Sequence, residues 1–143
     1  MKVGAVDYGR KRIGLAVCDP LGISVRGLPT IAVSGTPPAA VPAVARALRE
    51  EGVERVVVGL PLHDDGRESE RSKEARAFAA ALAKALAVEV VFHDEGLTTW
   101  EAEEAVKATG ERLRDAKRRG EVDRAAAVVL LRSYLRTIEG GGG

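Results

Sequence analysis

Lys2-Val3-Gly4-Ala5-Val6-Asp7-Tyr8-Gly9-Arg10-Lys11-Arg12-Ile13-Gly14-Leu15-Ala16-Val17-Cys18 is the stretch that decides how this chain folds. Two short apolar runs, residues 2–6 and 13–18, flank a polar link at 8–12, and the pattern reads as two strands joined by a turn. Gly9 sits where the backbone must reverse and brings no Cβ into the bend. A third strand is expected at 28–33. Thr36-Pro37-Pro38 then opens a helix that carries Val41, Val44, Ala45 and Leu48 on one face. Pro42 fits that helix only within its first turn.

Further along, Val56-Val57-Val58 is a continuous apolar run of the kind buried in a parallel sheet. A loop at 60–68 leads to a helix at 69–86, with Ala75, Phe78, Ala79, Leu82 and Leu86 facing inward. The next strand, 88–92, ends at His93-Asp94-Glu95. Thr98-Thr99-Trp100-Glu101 has the form of a capping box and begins a helix that stops near Gly110. A basic, glycine-bounded stretch follows, and then a last helix at 123–138. The order β-β-β-α-β-α-β-α-α predicts an α/β sandwich in which an antiparallel hairpin feeds a mostly parallel sheet flanked by helices. Residues 1–138 are expected to form one domain, with 139–143 a disordered glycine-rich tail.

Bulk properties narrow the function classes. A chain of 143 residues, 45% hydrophobic, can bury a substantial core, and no apolar run is long enough to span a bilayer. No secretory leader is visible, so a cytoplasmic location without membrane contact is expected. The single cysteine, Cys18, rules out an internal disulfide and a cysteine-rich zinc site, and its place in an apolar strand marks it as a core residue. Asn and Gln are absent, while Arg, Glu and Ala abound, which fits a thermophilic source or a GC-rich genome. The net charge is only +1, but the cations cluster at Arg10-Lys11-Arg12 and across Arg112, Arg114, Lys117, Arg118 and Arg119. With aromatics at 3%, a stacking platform is not expected to be the main binding device.

Three carboxylate positions stand out. Asp7 ends an apolar strand, and in open α/β sheets ligands gather at the carboxyl ends of parallel strands, although an acid there also caps turns. Asp94 and Glu95 end another strand; alternation puts Asp94 with Val90 and Phe92 and Glu95 with Val91, so only one of them leads toward a shared site. Asp123 shares a helix face with Ala127, Leu130 and Tyr134. An N-cap or the helix dipole accounts for an acid at that end, but less well for its alignment with the apolar stripe. Convergent carboxylates suit hard cations such as magnesium or manganese, and a pair of such ions about 4 Å apart supports phosphoryl transfer. His93 has no second histidine at ligand spacing and reads as structural. Gly59-Leu60-Pro61-Leu62 lacks the Gly-Lys-Ser/Thr ending of a phosphate-binding loop. Arg10, Lys11 and Arg12, next to Asp7, are placed to contact a substrate backbone. The stretch 110–120, including Arg118 and Arg119, reads equally as a basic flap before Asp123 or as a solvated loop. Lys73 and Arg76 are weaker candidates.

Four segments resemble the YqgF family, also called RuvX, of ribonuclease H-like proteins. They are residues 6–16, residues 58–62 (Val-Gly-Leu-Pro-Leu), residues 94–99 (Asp-Glu-Gly-Leu-Thr-Thr) and residues 122–126 (Val-Asp-Arg-Ala-Ala), in order and spread over nearly the whole chain. The resemblance implies a metal-dependent nuclease with Asp7, Glu95 and Asp123 as both catalytic and metal-binding residues, holding two magnesium or manganese ions. It further implies maturation of the 5′ end of pre-16S ribosomal RNA, with ribosomal particles as further partners. The alternatives are resolution of branched DNA, which needs paired active sites, and a non-catalytic nucleic-acid-binding assembly or transcription factor. The protein is expected to be a monomer or a weak dimer. Where the family places Arg after the Asp-Glu pair, this chain has Gly96.

Overall fold

The hairpin expected from residues 2–18 forms the spine of a five-stranded mixed sheet. A computed structural model of the chain describes residues 1–60, 70–94 and 121–141. Strands β1 (Val3–Asp7), β2 (Arg12–Cys18) and β3 (Val25–Ala32) run antiparallel in succession. A single 3-10 turn, Pro37–Ala40, leads into α1 (Val41–Glu50), and Pro42 falls in the first turn of that helix, where its missing N–H costs nothing. Strand β4 (Arg55–Leu60) then pairs parallel to β1, and β5 (Glu89–Asp94) pairs parallel to β4, with α2 (Glu70–Leu86) between them in sequence. The last described helix, α3, covers Glu121–Gly141. The sheet order is β3-β2-β1-β4-β5.

Period-two alternation divides the sheet residues between two cores. Val6, Ile13, Leu15, Val17, Val56 and Val58 point to the side covered by α1 and α2, where Val44, Leu48, Phe78 and Leu82 meet them. Val3, Ala5, Ala16, Cys18 and Val57 point to the other side, against Ala127, Leu130 and Leu131 of α3. Small residues at Ala5, Ala16 and Ala127 let α3 lie close to the sheet. Cys18 is a buried free thiol, as its apolar strand implied.

The expected elements recur with shifted ends. Strand β3 begins at Val25 rather than at residue 28, because it pairs with β2 from Cys18↔Val25 onward. Helix α3 starts two residues before Asp123, and its backbone carries on past Ile138 to Gly141. The helix expected at 98–110 lies outside the described residues. Among those residues, no helix is long and apolar enough to cross a membrane.

One local conformation is strained. Ala87, directly after α2, has φ +57° while its N–H bonds the Ala83 carbonyl at 2.8 Å. A left-handed alanine costs about 1–2 kcal/mol, part of which glycine returns as unfolded-state entropy. Ala87→Gly is therefore expected to stabilise the protein by about 1 kcal/mol, read as a higher urea midpoint at unchanged slope. A lower midpoint would contradict it.

Candidate active site

Asp7 is the last residue of β1 and only 6% exposed. Its alternation with Val3 and Ala5 places its side chain on the α3 side of the sheet. Directly across the antiparallel ladder its partner is Gly14. A Cβ built on Gly14 would overlap the backbone carbonyl of Asp123, closer than real non-bonded atoms come. The first turn of α3 therefore rests on the hydrogen in place of a side chain at Gly14, beside Asp7. Gly27 does the same one strand further out: the aliphatic part of Arg124 lies across it, and Arg124 Nε donates to the Leu28 carbonyl at 3.1 Å. Two glycines thus seat the start of α3, and the Asp123 carbonyl lies over Gly14, the ladder partner of Asp7.

Arg12, on the same face of β2, completes this corner. Its Nε donates to Asp123 Oδ2 at 3.2 Å, with Arg12 37% and Asp123 27% exposed. Burial pushes the Asp123 carboxyl above its ordinary pKa, and the Arg12 guanidinium works against that shift. The donors on hand are hard carboxylate oxygens at the carboxyl end of a strand and at a helix N-terminus, so in chemistry they fit a divalent cation of the magnesium or manganese class. Among the described residues no three His, Cys, Asp or Glu gather closely enough to hold a metal. Glu95, the third acid expected from the sequence, lies outside the described residues.

An open cleft of about 430 Å³ adjoins this corner, lined by Gly9, Arg10, Lys11, Arg12, Arg71 and Asp123. Four of these six described residues are cationic, which suits a polyanion rather than an apolar ligand. Arg71, from the first turn of α2, escaped the sequence reading, which looked instead to Lys73 and Arg76. Arg71 Nη2 donates to the Tyr8 carbonyl at 3.1 Å and so reaches back over the β1–β2 turn. Lys73 pairs with Glu70 at 3.4 Å, and Arg76 lies 5.0 Å over the Phe92 ring, so neither lines the cleft. No signal in the sequence separates these three cations, because the direction of each depends on where α2 docks.

Arg10 is committed more than its sequence position implied. Its Nε and Nη2 bind Glu74 at 2.9 and 2.7 Å, and Tyr8 Oη donates to the same carboxylate at 3.2 Å. The Arg10 contact holds Glu74 below its ordinary pKa, while burial and the neighbouring Glu74 raise that of Tyr8. His93, which reads as structural in the sequence, has its Nε2 2.9 Å from Ser133 Oγ and its ring edge-on to Tyr134. Arg118, Arg119 and the rest of the basic stretch at 110–120 lie outside the described residues.

Comparison with known proteins agrees with this architecture. The family described as RuvX: Holliday junction resolvase matches residues 1–137. A protein of Pelotomaculum thermopropionicum named for pre-16S rRNA nuclease activity is 42% identical over 135 residues, covering 94% of this chain and 86% of its own. One of Anaeromyxobacter sp. strain K, named likewise, is also 42% identical, covering 94% of this chain and 96% of its own. Among solved structures, T. thermophilus RuvC in complex with a Holliday junction substrate superposes with a TM-score of 0.62 at 19% identity, covering 98% of this chain and 97% of that one. The fowlpox virus Holliday junction resolvase gives 0.58 at 17% identity, covering 96% of this chain and 99% of its own. At such identities the two structures speak for the ribonuclease H-like fold.

Proposed function

The chain belongs to the RuvX family, and from that premise we propose that it is a divalent-metal-dependent nuclease that hydrolyses the phosphodiester backbone of a precursor RNA, at the 5′ end of pre-16S rRNA. One observation carries the chemistry: Gly14 pairs with Asp7 and lies under the Asp123 carbonyl, next to a cleft lined among the described residues by Arg10, Lys11, Arg12 and Arg71. Asp7, Asp123 and Glu95 would hold magnesium or manganese, as two ions. When bound, the ions supply Lewis acidity and an activated water at neutral pH. Glu95 is included because sequence alternation couples it to Val91, which packs on the Asp7 side of the sheet.

The chain's own cations position the substrate. Lys11 and Arg71 line the cleft wall and neutralise successive phosphates. Arg12 touches Asp123 and faces the cleft, so it joins the acidic corner to the phosphate to be cut. Arg10, oriented by its two bonds to Glu74, lines the same cleft and meets the backbone there. Arg118 and Arg119 add contacts from the segment before Asp123. Residues 1–138 act as one domain, a monomer or weak dimer, in the cytoplasm and on ribosomal particles.

A second reading, cleavage of four-way DNA junctions, is favoured by the description of the family itself. The two separate when a labelled pre-16S rRNA fragment and a four-way junction are incubated in parallel with manganese, magnesium or chelator. The expected result is metal-dependent cutting of the RNA that leaves a 5′-phosphate, with the junction intact. Paired symmetrical junction cuts with untouched RNA would replace this reading by the other. Tight binding without any cleavage would point to a non-catalytic assembly factor.

A further inference from the structure

A second cavity, of about 390 Å³, lies on the opposite side of the β1–β2 turn from the acidic corner. Its lining includes Tyr8, Arg10, Pro38, Glu74, Ala77 and Ala81. Asp7 and Tyr8 are consecutive, so their side chains leave the strand on opposite faces, Asp7 toward α3 and Tyr8 into the α1–α2 core. Arg10 lines both this cavity and the basic cleft. A strand held by Lys11, Arg12 and Arg71 therefore passes Arg10 on its way to the second cavity.

What the cavity accepts follows from its walls. Pro38, Ala77 and Ala81 offer apolar surface, with the tilted Tyr8–Phe78 pair behind them at 5.4 Å between ring centroids. The Glu74 carboxylate in its lining repels a phosphate but accepts hydrogen bonds. The Arg10 guanidinium, held in plane by two bonds to Glu74, presents a flat cationic face. An uncharged, planar, hydrogen-bonding group attached to a polyanion matches all three features. A nucleobase fits that description, and unpaired bases swung out of a strand are commonly held by arginine planes and apolar walls.

We propose that this cavity is a nucleobase subsite that receives one unstacked base of the substrate strand, stacked against Arg10. This inference rests on the nuclease reading and sharpens it: the substrate at the cut is single-stranded, because a base paired in a duplex cannot turn into the cavity. It also gives the Arg10–Glu74–Tyr8 cluster a task that phosphate binding alone leaves unexplained.

The test is binding, measured in chelator so that cleavage plays no part. Fluorescence anisotropy compares a labelled 12-nucleotide single-stranded RNA with a ribose-phosphate 12-mer lacking bases, on wild type, Ala77→Leu and Ala81→Leu. Ala77 is exposed on α2 and Ala81 half-buried, and leucine is a good helix former, so the fold is expected to hold. Wild type is expected to prefer the base-containing RNA by roughly tenfold, in the range found for one stacked base. Filling the cavity removes that preference, while affinity for the abasic strand and the salt dependence stay as they were. A wild type without base preference, or filled variants that retain it, would overturn the subsite. Loss of preference in a protein that never cleaves RNA would keep the subsite and retire the nuclease reading; cleavage with unaltered preference would do the reverse.

Discussion

Asp7→Asn is expected to abolish cleavage while leaving the fold in place. Asparagine has the shape of the aspartate, so packing at the end of β1 is kept, but the charge that a hard cation requires is gone. Changes in residues that merely orient metal ligands already cost about 10–100-fold. Removing a ligand itself should therefore lower the rate at least about a hundredfold under magnesium. Stability moves the other way or hardly at all, since a 6% exposed carboxylate is expensive to bury and the neutral amide relieves that cost. Cleavage rates for the two proteins, thermal melts and manganese binding followed by electron paramagnetic resonance check the three parts together. Full magnesium-dependent activity in the variant would remove Asp7 from the site. A collapsed melt would show that its role is structural.

The hairpin was legible because both runs are apolar, of strand length and split by a turn containing glycine. The helices α1 and α2 were legible for a similar reason: each carries a buried stripe at helical spacing that needs no knowledge of its partner. Features set by distant partners were not. Val25, Arg26 and Gly27 have no apolar pattern, yet they are strand because the turn before them is built on Asp19. Its carboxylate accepts from the Ile23 N–H at 2.7 Å, and its own N–H bonds the Ser24 carbonyl at 3.0 Å, which sets the register of β3. Pro29 falls inside that strand, and it is tolerated there because β3 is an edge strand, where a missing N–H breaks no ladder bond.

The acidic corner divides in the same way. Asp7 and Asp123 could be picked from strand-end and helix-face positions, whereas the engagement of Arg10 depends on Glu74, 64 residues away. Nothing local marks that contact, since Glu74 sits in a helix rich in charges. Gly14 shows the limit most clearly. Within β2 it reads as a weak strand residue, and only the docking of α3 reveals that its missing side chain makes room for the Asp123 backbone.

Gly14→Ala is accordingly expected to impair activity out of proportion to its size. In an isolated strand, alanine in place of glycine is neutral or mildly favourable, because the unfolded chain loses freedom. Here the new methyl would overlap the Asp123 carbonyl, which is backbone and cannot rotate aside. The helix start must lift, at a cost of about 1–3 kcal/mol in overpacking. Lifting carries Asp123 away from Asp7, and a displacement near 1 Å at a reacting centre can cost about a hundredfold in rate. Gly27→Ala is the control, because there the methyl meets the Arg124 side chain, which can take another rotamer at the loss of its bond to Leu28. Cleavage measured well below both melting temperatures separates a displaced acid from a partly unfolded protein. Gly14→Ala should then be folded and nearly inactive, and Gly27→Ala folded and active. Equal activity in the two would mean that the contact of α3 with Gly14 does not position the acid, and that a segment beyond the described residues sets the geometry of the site instead.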